Sequence, residues 1–222
     1  MERYSRILEL SNFSKEKLEI LRNKKIFIIG AGGVGQHVAT YLVTNGVENL
    51  TICDFDVAEM SNLNRQILIT EKHIGEPKVD VVKKQLQKRN GNAKIESLYT
   101  KINEDNILTT ISGFDVVVDA VDNWTTKLII SEACKKLKIL FLHIGVDGAS
   151  GQYCLFKNKS LEDVVGKDII SEPRDGVLGP MVGLLASLAT LNLILYLVGD
   201  NNIVDVIYSY NQRSNEISKI KL

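Results

Sequence analysis

The chain has 222 residues, 45% hydrophobic and 24% charged, which suits one globular domain with a substantial core. Its 27 basic and 27 acidic side chains give a formal net charge of zero; this excludes a global basic field, and no nucleic-acid partner is expected. Cys53, Cys134 and Cys154 form no CxxC pair, so neither a zinc site nor a disulfide framework is expected.

Reduced thiols and a charged N-terminus, MERYSRILEL, predict a cytoplasmic protein without a leader. Residues 1–24 read as a helical arm. Lys25–Ile29 is a short apolar run ending in glycines, hence a buried strand. Gly33–Asn45 reads as a helix stopped by Gly46, and Asn49–Cys53 as the second strand. Pro77–Asn90 is helical, with Val79, Val82 and Leu86 on one face. Lys94–Leu98 is a strand, Asp105–Ile111 a short helix, Asp115–Ala120 a strand, Thr125–Leu137 a helix and Ile139–His143 a strand. This alternation over residues 25–145 predicts an α/β, Rossmann-like fold: a mostly parallel sheet flanked by helices.

Beyond Gly145 the rhythm changes. Gln152–Phe156 reads as a strand running the other way, and Lys157–Asp175 as a polar, irregular crossing loop. Val177–Gly199 carries no charged residue and is long enough to span a bilayer. Its Gly179, Pro180, Gly183, Ser187, Thr190 and Asn192 favour a buried helix from about Pro180 to Leu197, with no membrane contact. A helix apolar all round must be covered on most sides, and a subunit interface is a natural cover. Ile203–Ser209 and Glu216–Ile220 read as a terminal hairpin, an antiparallel C-terminal extension. No linker divides the chain, so residues 1–222 read as one domain.

Gly30-Ala31-Gly32-Gly33-Val34-Gly35 fits GxGxxG between a strand and a helix. Gly30, Gly32, Gly33 and Gly35 permit a tight turn, and the helix N-terminus offers free N–H groups to phosphate. Asp54 follows Gly35 by nineteen residues, where an acidic residue accepts hydrogen bonds from ribose hydroxyls. The motif marks a nucleotide site; it does not choose between NAD, FAD, S-adenosylmethionine and ATP.

Other residues choose: Asp54-Phe55-Asp56, Ser61-Asn62-Leu63-Asn64-Arg65-Gln66, Gly75-Glu76-Pro77-Lys78 and Val121-Asp122-Asn123. Arg65 and Lys78 suit a triphosphate. Asp122, just past a strand end, suits magnesium with water completing its octahedron. Asp56, Gln66 and Asn123 lie in the same stretches and are further candidates for cofactor contact. Taken alone, Asp122-Asn123 reads as a helix N-cap before Trp124.

In this ordered set the chain resembles the ubiquitin-activating-enzyme-like (E1-like) adenylyltransferases of the ThiF/MoeB/HesA type. Those enzymes activate sulfur-carrier proteins for thiamin and molybdopterin synthesis. The resemblance runs from Arg3-Tyr4-Ser5-Arg6 through Gly176-Val177-Leu178-Gly179-Pro180. It implies that Asp54 binds ribose, that Asn62, Arg65 and Lys78 contact ATP, and that Asp122 holds Mg2+. It also implies that Arg6 enters the active site of a partner subunit in a homodimer. The expected activity is adenylation of the C-terminal carboxylate of a small ubiquitin-like carrier protein, with release of pyrophosphate.

Two departures matter. The sulfur-carrier enzymes usually bind zinc through two CxxC pairs, and many place a cysteine where this chain has Ser171-Glu172-Pro173-Arg174-Asp175. Both features are missing, which leaves adenylation intact and puts any thiol step in doubt. Cys154 is expected to be buried and inert. His37, His73 and His143 are assigned no catalytic role. The alternatives are adenylation of a peptide or an RNA-linked carboxylate, an NAD-binding oxidoreductase, and a dimeric scaffold that keeps the nucleotide site.

Overall fold

The computed structural model describes residues 2–166 and 176–222. The N-terminal arm carries α1 (Ser5–Leu8) and α2 (Lys15–Asn23). The core then runs β1 (Lys25–Ile29), α3 (Gly33–Thr44), β2 (Asn49–Asp54), α4 (Lys78–Arg89), β3 (Lys94–Tyr99), α5 (Ile107–Ile111), β4 (Val116–Asp119), α6 (Trp124–Leu137) and β5 (Leu140–Asp147). The last third contributes β6 (Ser150–Phe156), α7 (Leu161–Val165), α8 (Gly179–Leu197), β7 (Val206–Asn211) and β8 (Glu216–Lys221).

All eight strands form one sheet in the order β3-β2-β1-β4-β5-β6-β7-β8. The first five are mutually parallel, and β5 through β8 are antiparallel. The central strands are apolar and covered on both faces, as parallel strands require. Ile26, Ile28, Val116 and Val118 face α3, α4 and α8, while Phe27, Val117 and Phe141 face α5 and α6. The strand order reverses between β1 and β4, so a crevice opens beyond their C-terminal ends.

The α8 helix is long and apolar enough to cross a membrane, but it lies along the sheet. Met181, Leu185, Ala186, Ala189 and Leu193 are buried against α3, β5 and β6. Its outer side is less covered: Leu184 is 38% exposed and Leu191 52%.

Three expectations need correction. The region from Lys157 is not wholly irregular. Ser160 caps α7, accepting a hydrogen bond from the Asp163 backbone N–H, while the Asp163 side chain returns to Ser160. That reciprocal Ser-x-x-Asp pairing starts a helix in a polar stretch. The rest of the expected crossing loop, residues 167–175, lies outside the described residues. Residues 201–203 form a short 3-10 turn, so the hairpin begins at Val206 rather than Ile203. The short helix begins at Ile107, because Asn103 and Asn106 close a turn just before it.

Candidate active site

A cleft of about 1500 Å3 lies at the reversal point, bounded by the turns after β1, β2, β4 and β5. Single small-molecule pockets run to about 1000 Å3, so there is space for a nucleotide and part of a second substrate. Gly30, Gly32, Gly33, Asp54, Asp56, Asn62, Arg65, Gln66, Lys78, Asp122 and Asn123 all line it. The fold gathers them from five separate stretches of the chain.

The turn after β1 depends on Gly30, which has φ +105°. A side chain there would also strike the Ala120 carbonyl. Gly35 departs from expectation: it is buried, does not line the cleft, and backs onto Gly30 and Ala120. Its role is close packing of α3 on the strand ends, since any Cβ would collide with the Gly30 carbonyl.

Asp54 ends β2 and fixes the glycine turn. One carboxylate oxygen accepts from the Ala31 backbone N–H at 2.6 Å, the other from that of Asp56 at 2.9 Å. A carboxylate has about four lone-pair sites, so acceptor capacity remains for a ribose. Lys78 opens α4; it is buried and donates from Nζ to Asp56 Oδ2 at 2.8 Å. Arg65 lies along its own loop, donating to the Ser61 carbonyl and to Asn64 Oδ1. Asn62 Oδ1 accepts from the Glu59 backbone N–H. Gln66 accepts from Gln36, whose own oxygen accepts from the Leu68 N–H.

Asp122 is exposed on the rim, and no hydrogen bond or ion pair engages its carboxylate among the described residues. A lone unengaged carboxylate is a hard oxygen donor of the kind Mg2+ uses, with phosphate oxygens and water filling its other positions. No group of three or more metal-ligating side chains occurs among the described residues, and that chemistry needs none. Asn123 carries out the bland role its sequence suggested: it is the N-cap of α6, accepting from the Thr126 N–H at 2.9 Å. The Arg6 side chain is 88% exposed, pairs with Glu9 at 2.9 Å, and does not line this chain's cleft.

Sequence reasoning missed a buried charged group beneath the rim. Asp119, Lys127 and His143 are all nearly inaccessible. Lys127 Nζ donates to both Asp119 oxygens at 3.0 and 2.9 Å, and His143 Nδ1 lies 2.7 Å from Asp119 Oδ2. The available signal was Asp119 itself, a carboxylate closing a run of buried valines, which demands a partner. Burial and its pairing pull Asp119 in opposite senses, and the Lys127 and His143 contacts win, holding it below the ordinary carboxylate value. His143 is held below its usual 6.5, chiefly by burial and despite Asp119. It is therefore neutral, with Nδ1–H donating and Nε2 buried without a partner among the described residues.

The sign of the pH effect follows. Below pH 6.5 the unfolded chain takes up a proton at His143 that the folded chain refuses. Stability should then fall as pH drops from 6.5, by up to about 1.4 kcal/mol per pH unit. Chemical denaturation between pH 7.5 and 5.5, compared with His143→Leu, checks this; an equally steep loss in that variant would remove His143 as the cause.

All three cysteines are buried. Burial pushes the Cys53 thiol up to about 12, and those of Cys134 and Cys154 higher still. A thiol-specific disulfide reagent should titrate none of them in native protein within minutes and all three in denaturant. Rapid native labelling of Cys53, which borders the cleft, would reverse that reading.

A model of the ThiF family matches residues 4–222. The chain belongs to the ThiF family. Among curated relatives, the adenylyltransferase and sulfurtransferase MOCS3 of Culex quinquefasciatus is 31% identical over 210 residues, covering 91% of this chain and 48% of that protein. The molybdopterin-synthase adenylyltransferase of Haemophilus influenzae is 30% identical over 199 residues, covering 86% and 82%. The chain thus spans about half the length of its MOCS3 relatives. The crystal structure of E. coli MccB with ATP superposes with a TM-score of 0.88 at 22% identity, over 99% of this chain and 71% of that one. The eight-stranded Rossmann-like sheet is therefore a ThiF-family fold. The Haemophilus influenzae relative's name specifies molybdopterin synthase, and thiamin appears in neither relative's name.

Proposed function

We propose that this ThiF-family chain binds ATP with Mg2+ in the cleft and adenylates the C-terminal carboxylate of a small ubiquitin-like sulfur-carrier protein. The observation that carries this reading is the meeting of Asp54, Arg65, Lys78 and a partner-free Asp122 in one cleft beside the glycine turn. The adenylyltransferase names of the relatives support it. An oxidoreductase using NAD has no need of Arg65, Lys78 and Asp122 together.

The chemistry asks little of acid–base groups. A C-terminal carboxylate titrates near about 3.5 and is already an anion at neutral pH. It attacks the α-phosphorus of ATP, the bond to the β-phosphate oxygen breaks, pyrophosphate departs, and an acyl-adenylate remains. The difficulty is an anion approaching a polyanion, so positioning and positive charge do most of the work. Asp54 orients the ribose, the glycine turn presents backbone N–H groups, and Lys78 and Arg65 face the phosphates. Bound magnesium would add positive charge to the phosphate oxygens, held through Asp122. The buried thiols leave the acyl-adenylate without an internal sulfur acceptor among these 222 residues.

ATP–pyrophosphate exchange with Mg2+ and a panel of carriers ending in Gly-Gly tests the proposal. Exchange that depends on one carrier supports it. Silence across the panel, with ATP binding intact, would transfer the reading to a peptide or RNA-linked carboxylate.

The exposed Leu184 and Leu191 on α8 suit burial against a second copy in a cytoplasmic homodimer, and Arg6 would then reach the partner's cleft. Mixing Arg6→Ala with Asp122→Ala protein should restore part of the activity that each lacks alone, because one of the two sites in a mixed dimer is whole. Verified mixed dimers that stay inactive would remove Arg6 from the site.

A further inference from the structure

Asp122 is placed by a short stretch of chain whose two ends are joined underground. Asp119 is the last residue of β4 and Lys127 lies in the first turns of α6. The loop between them carries Asp122 at the rim. Asp119 Oδ1 also accepts from the Val121 backbone N–H at 3.2 Å, one residue before Asp122. Lys127 Nζ donates further to the Ile144 carbonyl at 3.1 Å, and His143 reaches Asp119 from the same strand, β5. The carboxylate and the ammonium thus tie β4, the rim loop, α6 and β5 to one point.

Buried ion pairs are seldom retained for stability, since apolar groups of similar volume do as well or better. What an ion pair supplies and an apolar patch does not is direction. Asp119 has defined partners on both oxygens, and the Val121 N–H bond sets how the next residues leave the strand. The Asp122 side chain, by contrast, has no hydrogen bond or ion pair to hold it among the described residues.

We propose that Asp119, Lys127 and His143 form a buried positioning unit that fixes the Val121–Asn123 loop and so presents the Asp122 carboxylate for a divalent cation. Lys127 borders the cleft, but its ammonium is engaged by Asp119 and the Ile144 carbonyl, so the unit acts through Asp122. This rests on the reading of Asp122 as the metal-holding carboxylate.

The test measures Mn2+ binding by electron paramagnetic resonance in the presence of ATP, with ATP affinity in chelator measured separately. Lys127→Met alone leaves a buried carboxylate unpaired and risks unfolding. The double variant Asp119→Leu/Lys127→Met removes both charges, so folding should return while direction is lost. Expected for the folded double variant is Mn2+ binding weakened about tenfold or more, as for partners that orient metal ligands, with metal-free ATP affinity unchanged. His143→Leu keeps the ion pair and should weaken Mn2+ binding to a smaller but measurable extent. Asp122→Ala is the reference. Loss of Mn2+ binding in Asp122→Ala, with full retention in both folded variants, overturns the positioning unit alone. Full retention in Asp122→Ala overturns the metal-holding assignment and the unit with it.

Discussion

Asp122→Ala should lower the rate of carrier-dependent ATP–pyrophosphate exchange at least about tenfold, a loss of about 1.4 kcal/mol of transition-state stabilisation, while leaving the melting temperature almost unchanged. The separation of the two effects is the point. Asp122 is exposed and engages no partner among the described residues, so the folded chain loses no hydrogen bond, ion pair or packing when it is truncated. Surface substitutions of that kind stay within about 0.5 kcal/mol of the parent. A rate defect without a stability defect therefore has to arise in the bound state. Exchange kinetics and a thermal melt on the same preparation decide the matter, and a variant with near-normal exchange would take Asp122 out of the mechanism.

Lys78→Met should be more damaging to turnover, on the order of a hundredfold, the loss typical when a preorganised charge is removed from a developing anion. Lys78 is buried at the cleft with its ammonium on Asp56. Methionine fills similar volume with an unbranched chain, so packing at the start of α4 is preserved. The abandoned Asp56 side chain is 50% exposed and stays solvated, so the fold loses little. The change removes the cation from the proposed phosphate site and leaves the nearby carboxylate there, which would add repulsion toward ATP. Calorimetric ATP binding and exchange rates check both parts. ATP affinity and turnover within twofold of the parent would show that Lys78 serves only to anchor Asp56.

The parallel half was legible because its signals are local. Strands β1 and β4 and the start of β5 are short apolar runs, and each helix between the parallel strands starts or stops at a recognisable cap or glycine. The cleft residues were legible for a different reason: each has an ordinary explanation by itself, but their order along the chain does not. Burial is what the sequence could not display. Gly35 was read with the other glycines of the nucleotide turn and is a packing contact, a distinction made by which atoms stand behind it. His143 looked isolated because its partners, Asp119 and Lys127, come from other elements. Asn123 was legible as a helix cap, and its bond to Thr126 shows that a residue can line a cleft while its side chain serves a helix. The capped turn at Ser160 was missed because polar composition masked a reciprocal pair.

The stretch that enters α8 borders the cleft, and this has a temporal consequence. Val177 and Val182 line the site, and the Val177 carbonyl accepts a hydrogen bond from the Asn64 side chain at 3.2 Å across 113 residues of intervening chain. A nascent chain that has emerged only as far as β5 already owns the glycine turn, Asp54, Lys78 and Asp122, yet lacks Val177, Val182 and the other late residues that complete the lining. Synthesis runs at about 5–20 residues per second, so the remaining third takes several seconds to arrive. Competence to bind ATP should therefore appear late and abruptly, after α8 has left the ribosome, rather than growing in step with the parallel sheet.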